Sequence, residues 1–179
     1  MRSVVLCFIV IASLLFFQTA GAQAQNSRVE EACRAQITNK LREWSVSSVT
    51  LAVAEWAKSH RINPTLVRGD FDGDGRTDIA LLIQNRLEPV LDYPERAYSS
   101  LVAVCLSRPT SVSLHLVDNP YCSNSIELSR KGQRYYDFET DETSTYRLDG
   151  VKTVCFEKAS ATYVYDAESA GFRRIVDGD

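Results

Sequence analysis

The chain has few of the residues on which common hydrolytic mechanisms depend. Only two of its 179 residues are histidines, His60 and His115, and it contains no G-x-S-x-G motif. An activated nucleophile needs a base beside it, and these two histidines fall on different predicted elements. We expect His60 to be a positive partner for the carboxyl end of its helix and His115 to face outward from a strand. This scarcity argues against a nucleophile–histidine hydrolase.

The sequence also has no run of basic residues and no Asn-x-Ser/Thr acceptor, and its formal net charge is −3. A nucleic-acid-binding protein usually carries a clustered positive surface, so we expect no nucleic-acid partner. No internal repeat is present either, which excludes a closed propeller built from repeated blades.

The long apolar run lies at the start of the chain. Arg2 precedes the apolar stretch from Val4 to Phe17, and small residues at 20–24 offer cleavage sites. This pattern predicts a secretory signal peptide over residues 1–24, because Gln18 and Thr19 interrupt the run before it could span a membrane. We therefore expect an exported protein, periplasmic or secreted, in which residues 25–179 form one monomeric domain.

Four cysteines remain once Cys7 is removed with the signal peptide: Cys33, Cys105, Cys122 and Cys155. An even number in an oxidising compartment predicts two disulfides, and three pairings are possible. We favour Cys105 with Cys122 and Cys33 with Cys155, because the second bond ties the amino-terminal segment to a late strand. A zinc site is the alternative, but no C-x-x-C spacing supports it.

The apolar periodicity predicts helices first and strands afterwards. Ser27 and Glu30 form a capping box for a helix ending near Trp44, and a second helix follows from Val49 to His60. From residue 78 onward the period changes to two. The predicted strands are Ile79–Gln84, Ser100–Leu106, Val112–Val117, Ser125–Ser129, Gln133–Phe138, Val151–Phe156 and Thr162–Tyr165. We thus expect an α+β fold in which two amino-terminal helices pack on one mainly antiparallel sheet of five to seven strands.

Acidic residues alternate between the helices and the first predicted strand. The run Asp70-Phe71-Asp72-Gly73-Asp74-Gly75-Arg76-Thr77-Asp78 places carboxylates at loop positions 1, 3, 5 and 9. Calcium takes six to eight oxygen ligands, and alternate residues of a tight loop direct their oxygens to one centre. The spacing predicts a Ca²⁺ site at 70–78, with a backbone carbonyl ligand at position 7, Arg76. Position 12 is Leu81, so the loop lacks the bidentate Glu of an EF-hand.

This loop, with Gly69 before it and Ile79-Ala80 after it, resembles the calcium-binding part of an FG-GAP or VCBS-type repeat, present here in a single copy. The resemblance implies side-chain ligation by Asp70, Asp72, Asp74 and Asp78, a carbonyl ligand from Arg76, and a loop that leads directly into a strand.

Two hypotheses of function remain from the sequence. Aromatic residues on two predicted strands, Tyr135, Tyr136, Phe138, Tyr163 and Tyr165, could contact sugar rings or a partner protein, as could the connection between residues 85 and 98. The first hypothesis is an exported, calcium-stabilised binding protein of the inhibitor or immunity type, acting on a protein or an envelope polymer. The alternative is a small secreted hydrolase whose carboxylate pair lies among Asp92, Glu95, Glu127, Glu139 and Glu157. We favour the non-enzymatic hypothesis.

Overall fold

The computed structural model describes residues 25–86, 98–118, 125–155 and 159–178. Within these ranges the protein is mostly β, with two helices, α1 (25–40) and α2 (Leu51–His60). The strands are β1 (Trp44–Val46), β2 (Leu66–Gly69), β3 (Asp78–Arg86), β4 (Tyr98–Ser107), β5 (Val112–Asp118), β6 (Ser125–Ser129), β7 (Arg134–Asp137), β8 (Glu142–Thr145), β9 (Gly150–Cys155), β10 (Ala159–Asp166) and β11 (Gly171–Gly178). The signal-peptide prediction, most of the connection between 85 and 98, and Cys122 lie outside these ranges.

The strands form three antiparallel sheets. The first sheet has the order β1-β3-β4-β5, with β2 also paired to β3, and the second has the order β11-β10-β9-β6. Among the described strands, β7 and β8 pair only with each other, as a hairpin between β6 and β9. In the second sheet β6 therefore pairs with β9, although the β7–β8 hairpin separates these two strands in sequence.

The predicted α+β fold, with two helices packed on a single sheet, is wrong. All seven predicted strands form, but the strands from β6 onward do not extend the first sheet: β6, β9, β10 and β11 build a second sheet, and β7 pairs with β8. Strands β1, β2, β8 and β11 were not predicted, and the acidic loop leads into β3, which is not the first strand. The difference arises because strand periodicity shows which face of a strand is buried but not which strands pair.

Two buried clusters occupy the two faces of the first sheet. Between the sheets lie Phe71, Ala80, Leu82, Val102, Val104, Leu106, Ile126 and Val151. On the opposite face, Cys33 and Ile37 of α1 pack against Ile79, Leu81, Ile83, Ala103 and Cys105. Strand β3 is thus buried on both faces, as its continuous apolar run predicts. The buried residues of α2, Val53 and Ala57, belong to neither cluster.

The helix ends are set by local capping. Thr50 precedes α2, and its hydroxyl accepts a hydrogen bond from the Val53 amide at 3.4 Å. Arg61 ends α2 in the left-handed region, with φ of 55°. The capping box predicted for α1 is wrong, since Ser27 lies inside the helix. The helix also ends at residue 40, so that Trp44 starts β1.

A disulfide joins α1 to β4. It links Cys33 to Cys105, with 5.7 Å between their Cα atoms, and both residues are fully buried. The favoured pairing of Cys105 with Cys122 and Cys33 with Cys155 is therefore wrong. Cys155 is also disulfide-bonded. The apolar stripe of α1 places Cys33 on the face that packs on β3 and β4, which brings it beside Cys105.

Candidate functional site

The acidic loop is the turn of a β-hairpin. It connects β2 to β3, and its ends are held together because Gly69 pairs with Asp78 in the antiparallel register. Gly73 and Gly75 have φ of +79° and +80°, a conformation that glycine adopts without strain. Gly73 is also closely approached, since a Cβ placed there would lie 2.7 Å from Leu148 Cδ2. Both glycines are thus required by the turn that gathers the carboxylates.

Asp78 forms the buried base of the site. It is fully buried, and its two carboxylate oxygens accept hydrogen bonds from the amides of Phe71 at 2.8 Å and Ser107 at 2.7 Å. Burial raises its pKa to about 6, against the opposing effect of these two amides, and the negative charges of Asp72 and Asp74 add to the rise. A cation beside Asp78 would supply the positive charge that this carboxylate lacks.

Asp70 presents a buried oxygen that no described residue satisfies. Its Oδ2 accepts a hydrogen bond from the Gly75 amide at 3.1 Å, whereas its Oδ1 is buried and has no hydrogen-bond partner within the described part of the chain. The Asp70 amide donates to Asp149 Oδ2 at 3.1 Å, which fixes the start of the loop to the segment before β9. A buried acceptor without a donor costs about 1–3 kcal/mol, so this oxygen indicates an absent electropositive partner.

Asp72 completes a convergent group of three. Ligand oxygens of Asp70, Asp72 and Asp78 all lie within 4.8 Å of one another. Two oxygens bound to the same calcium ion, each at about 2.3–2.6 Å, are at most about 5 Å apart, so this separation is compatible with one shared cation. The Asp72 side chain is only 4% exposed, and its Oδ2 accepts a hydrogen bond from Arg108 Nη1 at 2.5 Å. These three carboxylates could hold a metal ion.

The fourth predicted carboxylate, Asp74, is not part of this group. Its oxygens accept hydrogen bonds from the Arg76 amide and from Arg76 Nη1, both at 2.9 Å, and Arg108 Nη1 lies 3.8 Å from it. The side chain of Arg76 thus folds back on Asp74, while its predicted role as a carbonyl ligand stays a prediction. The structure gathers three of the four predicted acidic ligands.

Three contributors to the site were not predicted from the sequence: Ser107, Arg108 and Asp149. Ser107 and Arg108 reach the loop because β4 pairs with β3, and Asp149 reaches it from the segment before β9. The Ser107 hydroxyl also donates to the Thr77 carbonyl at 2.6 Å. A correct pairing of β3 with β4 would have placed Ser107 and Arg108 beside the loop, because both lie just beyond the residue opposite Ile79.

The other candidate residues are dispersed. His60 lies at the end of α2, where its Nδ1 is 2.9 Å from the Trp56 carbonyl oxygen. His115 was predicted to face outward from its strand. It instead packs edge-on against Tyr165 and Phe172 between the sheets. Burial, with the charges of Arg108 and Lys40, lowers its pKa. Each histidine lies beside a serine hydroxyl of its own element: Ser59 Oγ is 3.0 Å from His60 Nδ1, and Ser113 Oγ is 3.2 Å from His115 Nε2.

The carboxylates proposed for a hydrolase do not form a described pair. Glu127 lies on β6, Glu139 forms an ion pair with Arg174, and Asp92, Glu95 and Glu157 lie outside the described residues. Of the predicted aromatic residues, Tyr163 is buried, whereas Tyr136 and Phe138 are exposed at one end of β7. Tyr135 stacks on Tyr146, with ring centroids 4.4 Å apart.

The raised pKa of Asp78 predicts a pH dependence of stability in metal-free protein. The folded-state pKa of about 6 lies above the ordinary value of 3.8, so the folded protein binds this proton more tightly than the unfolded chain. The contribution of Asp78 to the free energy of unfolding therefore falls as the pH rises from about 4 to about 6.

The difference in unfolding free energy between wild type and Asp78→Asn should change by about 2 kcal/mol between pH 4 and pH 7, to the detriment of the wild type. Urea denaturation in metal-free buffer measures this difference. A difference that is independent of pH would contradict the assigned environment of Asp78.

Neither helix in the described ranges has the length and apolar character needed to cross a membrane. The chain matches no family model, no curated protein and no solved structure.

Proposed function

We propose that loop 70–78 binds one Ca²⁺ ion and that the protein is an exported binding protein whose fold this ion stabilises. The observation that carries the proposal is the buried Oδ1 of Asp70, which has no hydrogen-bond partner among the described residues while two further carboxylates converge beside it. Hard oxygen donors of this kind favour calcium over softer metals. Asp70, Asp72 and Asp78 would be its side-chain ligands, Arg76 would add a carbonyl, and Asp74 would hold the turn.

The bound ion would act structurally. The loop joins the β2–β3 hairpin, its Phe71 inserts between the sheets, and its first amide is fixed by Asp149. A cation shared by Asp70, Asp72 and Asp78 would offset their mutual repulsion and secure this junction. The proposal keeps the sequence resemblance of this loop to a single FG-GAP or VCBS-type calcium module, here placed in a hairpin turn.

Export and binding complete the proposal. The fully buried disulfide between Cys33 and Cys105 is typical of proteins that fold in an oxidising compartment. The pair Tyr136 and Phe138, 40% and 49% exposed, is an aromatic surface of the kind that contacts a partner. We place the protein in the periplasm or outside the cell, as a monomer that acts on a protein or an envelope polymer.

A thermal-shift measurement tests the calcium site. Extracellular calcium modules bind with a Kd of roughly 0.1–1 mM, so 1 mM Ca²⁺ stabilises the tighter ones by about 1.4 kcal/mol. For a domain of this size we expect residues 25–179 to melt roughly 3–6 °C higher in 1 mM Ca²⁺ than in chelator. Asp72→Ala should abolish the shift, because it removes one of three converging ligands.

The matched control is Glu142→Ala, which removes an exposed carboxylate on β8, outside the loop, and should leave the shift intact. A wild-type protein that Ca²⁺ does not stabilise would refute the site itself. A full shift in Asp72→Ala would refute the ligand assignment.

A further inference from the structure

A polar cleft lies on the face of the second sheet that points away from the first sheet. It has a volume of about 410 Å³ and is bounded by β7, β8, the segment leading to β9, and the turn between β10 and β11. Small-molecule sites in proteins commonly measure roughly 300–1,000 Å³. The residues that give the cleft its chemistry are Tyr135, Ser144, Thr145, Tyr146, Arg147 and Arg173.

The two arginines make this cleft cationic within an acidic protein. Neither Arg147 nor Arg173 lies within 4.0 Å of a carboxylate in the described part of the chain, whereas other arginines of the protein form such pairs. Asp166, the carboxylate among the described lining residues, accepts hydrogen bonds from the Ser169 hydroxyl at 2.7 Å and the Glu168 amide at 3.1 Å, and the charge of Arg173 adds to the lowering of its pKa. Because neither guanidinium group forms an ion pair within the described ranges, both can bind the planar carboxylate of a ligand through paired hydrogen bonds.

The rest of the lining suits a sugar ring. Tyr146 is 4% exposed, and its hydroxyl donates to Asp177 and lies 3.1 Å from Thr162 Oγ1, so it forms a fixed floor. The half-buried ring of Tyr135 stacks on it. The neighbouring Ser144 and Thr145 are exposed and carry hydroxyl groups for hydrogen bonds. We propose that this cleft binds an acidic saccharide, whose carboxylate contacts Arg147 and Arg173 and whose ring lies against the tyrosines.

A concave site of this size favours a saccharide over a folded protein, because protein interfaces are broad and bury about 800 Å² on each partner. The inference refines the proposed function by selecting an envelope polymer as the partner.

The cleft and the acidic loop share one segment. Leu148 lines the cleft and also packs against Gly73 of the loop. Its neighbour Asp149 accepts hydrogen bonds from the amides of Asp70 and Lys131, at 3.1 and 2.9 Å. An ordered loop would therefore hold Arg147 and Leu148 in place. This coupling rests on the proposed calcium site, and it predicts that saccharide affinity falls by a few-fold, at most about tenfold, when Ca²⁺ is removed.

Isothermal titration with trigalacturonic acid, in 0.1 M salt and 1 mM Ca²⁺, tests the cleft. We expect binding of the acid and none of its neutral methyl ester. Arg147→Gln and Arg173→Gln should each weaken binding at least tenfold, because each removes a charge-assisted hydrogen-bond donor. Arg173→Lys should restore only part of the affinity, since an ammonium group cannot bind a carboxylate in the same paired geometry. The matched control is Arg134→Gln, which changes an exposed arginine of β7 outside the lining and should bind as the wild type does.

No binding at millimolar acid, equal binding of the ester, or unchanged binding in both glutamine variants would overturn the cleft assignment. Equal or tighter binding of a tri-aspartate peptide would replace the saccharide with an acidic protein segment. Equal affinity in Ca²⁺ and chelator, in protein that shows the thermal shift, would overturn the coupling alone. Absence of the thermal shift with intact saccharide binding would refute the calcium site and leave the cleft standing.

Discussion

Replacing both Cys33 and Cys105 with alanine should lower the free energy of unfolding by about 4 kcal/mol. The bond joins residues 72 positions apart, and closing a loop of that size removes much of the conformational entropy of the unfolded chain. At about 2–4 °C per kcal/mol, the melting temperature should fall by roughly 8–16 °C. Chemical denaturation should also show a larger m-value, because the unfolded chain without this bond is more expanded.

A second double variant separates the cross-link from the packing. Both cysteines are fully buried between α1 and the first sheet, so alanine also leaves a small cavity there. Valine at both positions fills most of this space without restoring the bond, and it should recover less than half of the lost stability. Recovery to near the wild-type value would show that the contribution of this bond is packing and not chain connectivity.

The pairing of Cys33 with Cys105 illustrates what the sequence could not determine. Periodicity correctly predicts that Cys33 lies on the apolar stripe of α1 and that Cys105 lies in a strand. It does not indicate that α1 packs over β3 and β4, because that arrangement depends on contacts between distant segments. The predicted pairing was chosen to tie the amino-terminal segment to a late strand, whereas the fold brings together two cysteines that share a buried face.

The same limit explains the missed strands and the second sheet. Strand β3 was predicted because its apolar run is continuous, and β6 was predicted with its exact bounds. Strand β8 has the sequence Glu-Thr-Ser-Thr and is exposed throughout, so it carries no apolar alternation. Strand β11 contains Arg173, Arg174 and Asp177. It was not predicted because charged residues of this kind are also typical of an exposed chain end. Such strands form because their neighbours pair with them, which is a tertiary effect.

The candidate site likewise contains some residues that the sequence predicts and others that it does not. Alternation of carboxylates within nine residues predicts that Asp70, Asp72 and Asp78 converge, because the geometry of a tight loop is local. Arg108 and Asp149 are 36 and 79 residues away from the loop residues that they contact. Asp74 was predicted as a ligand but pairs with Arg76, since a cation only two residues away along the chain is within its reach.

Phe71→Ala should destabilise the protein by about 3–5 kcal/mol, even in the absence of calcium. Phe71 is position 2 of the acidic loop, yet it is fully buried in the cluster between the two sheets. Truncating a buried phenylalanine loses apolar burial and leaves a cavity that the neighbouring side chains fill only partly. Thermal unfolding in chelator should shift by roughly 6–20 °C. Phe71→Leu keeps most of the volume and should lose less than half as much.

Asp72→Ala and Phe71→Ala should differ in their effects on stability and on calcium binding. In chelator, Asp72→Ala should change the unfolding free energy by no more than about 1 kcal/mol, because it removes one ion pair with the partly exposed Arg108 and also relieves repulsion from Asp78. Phe71→Ala keeps every acidic ligand and the backbone amide that donates to Asp78 Oδ2, but it removes the buried ring that holds this amide in place. It should therefore weaken calcium binding in protein that is still folded, whereas Asp72→Ala should abolish binding without unfolding the protein. Normal calcium affinity in folded Phe71→Ala would show that the carboxylates converge without the anchor between the sheets, and the loop would then be a site independent of the core beneath it.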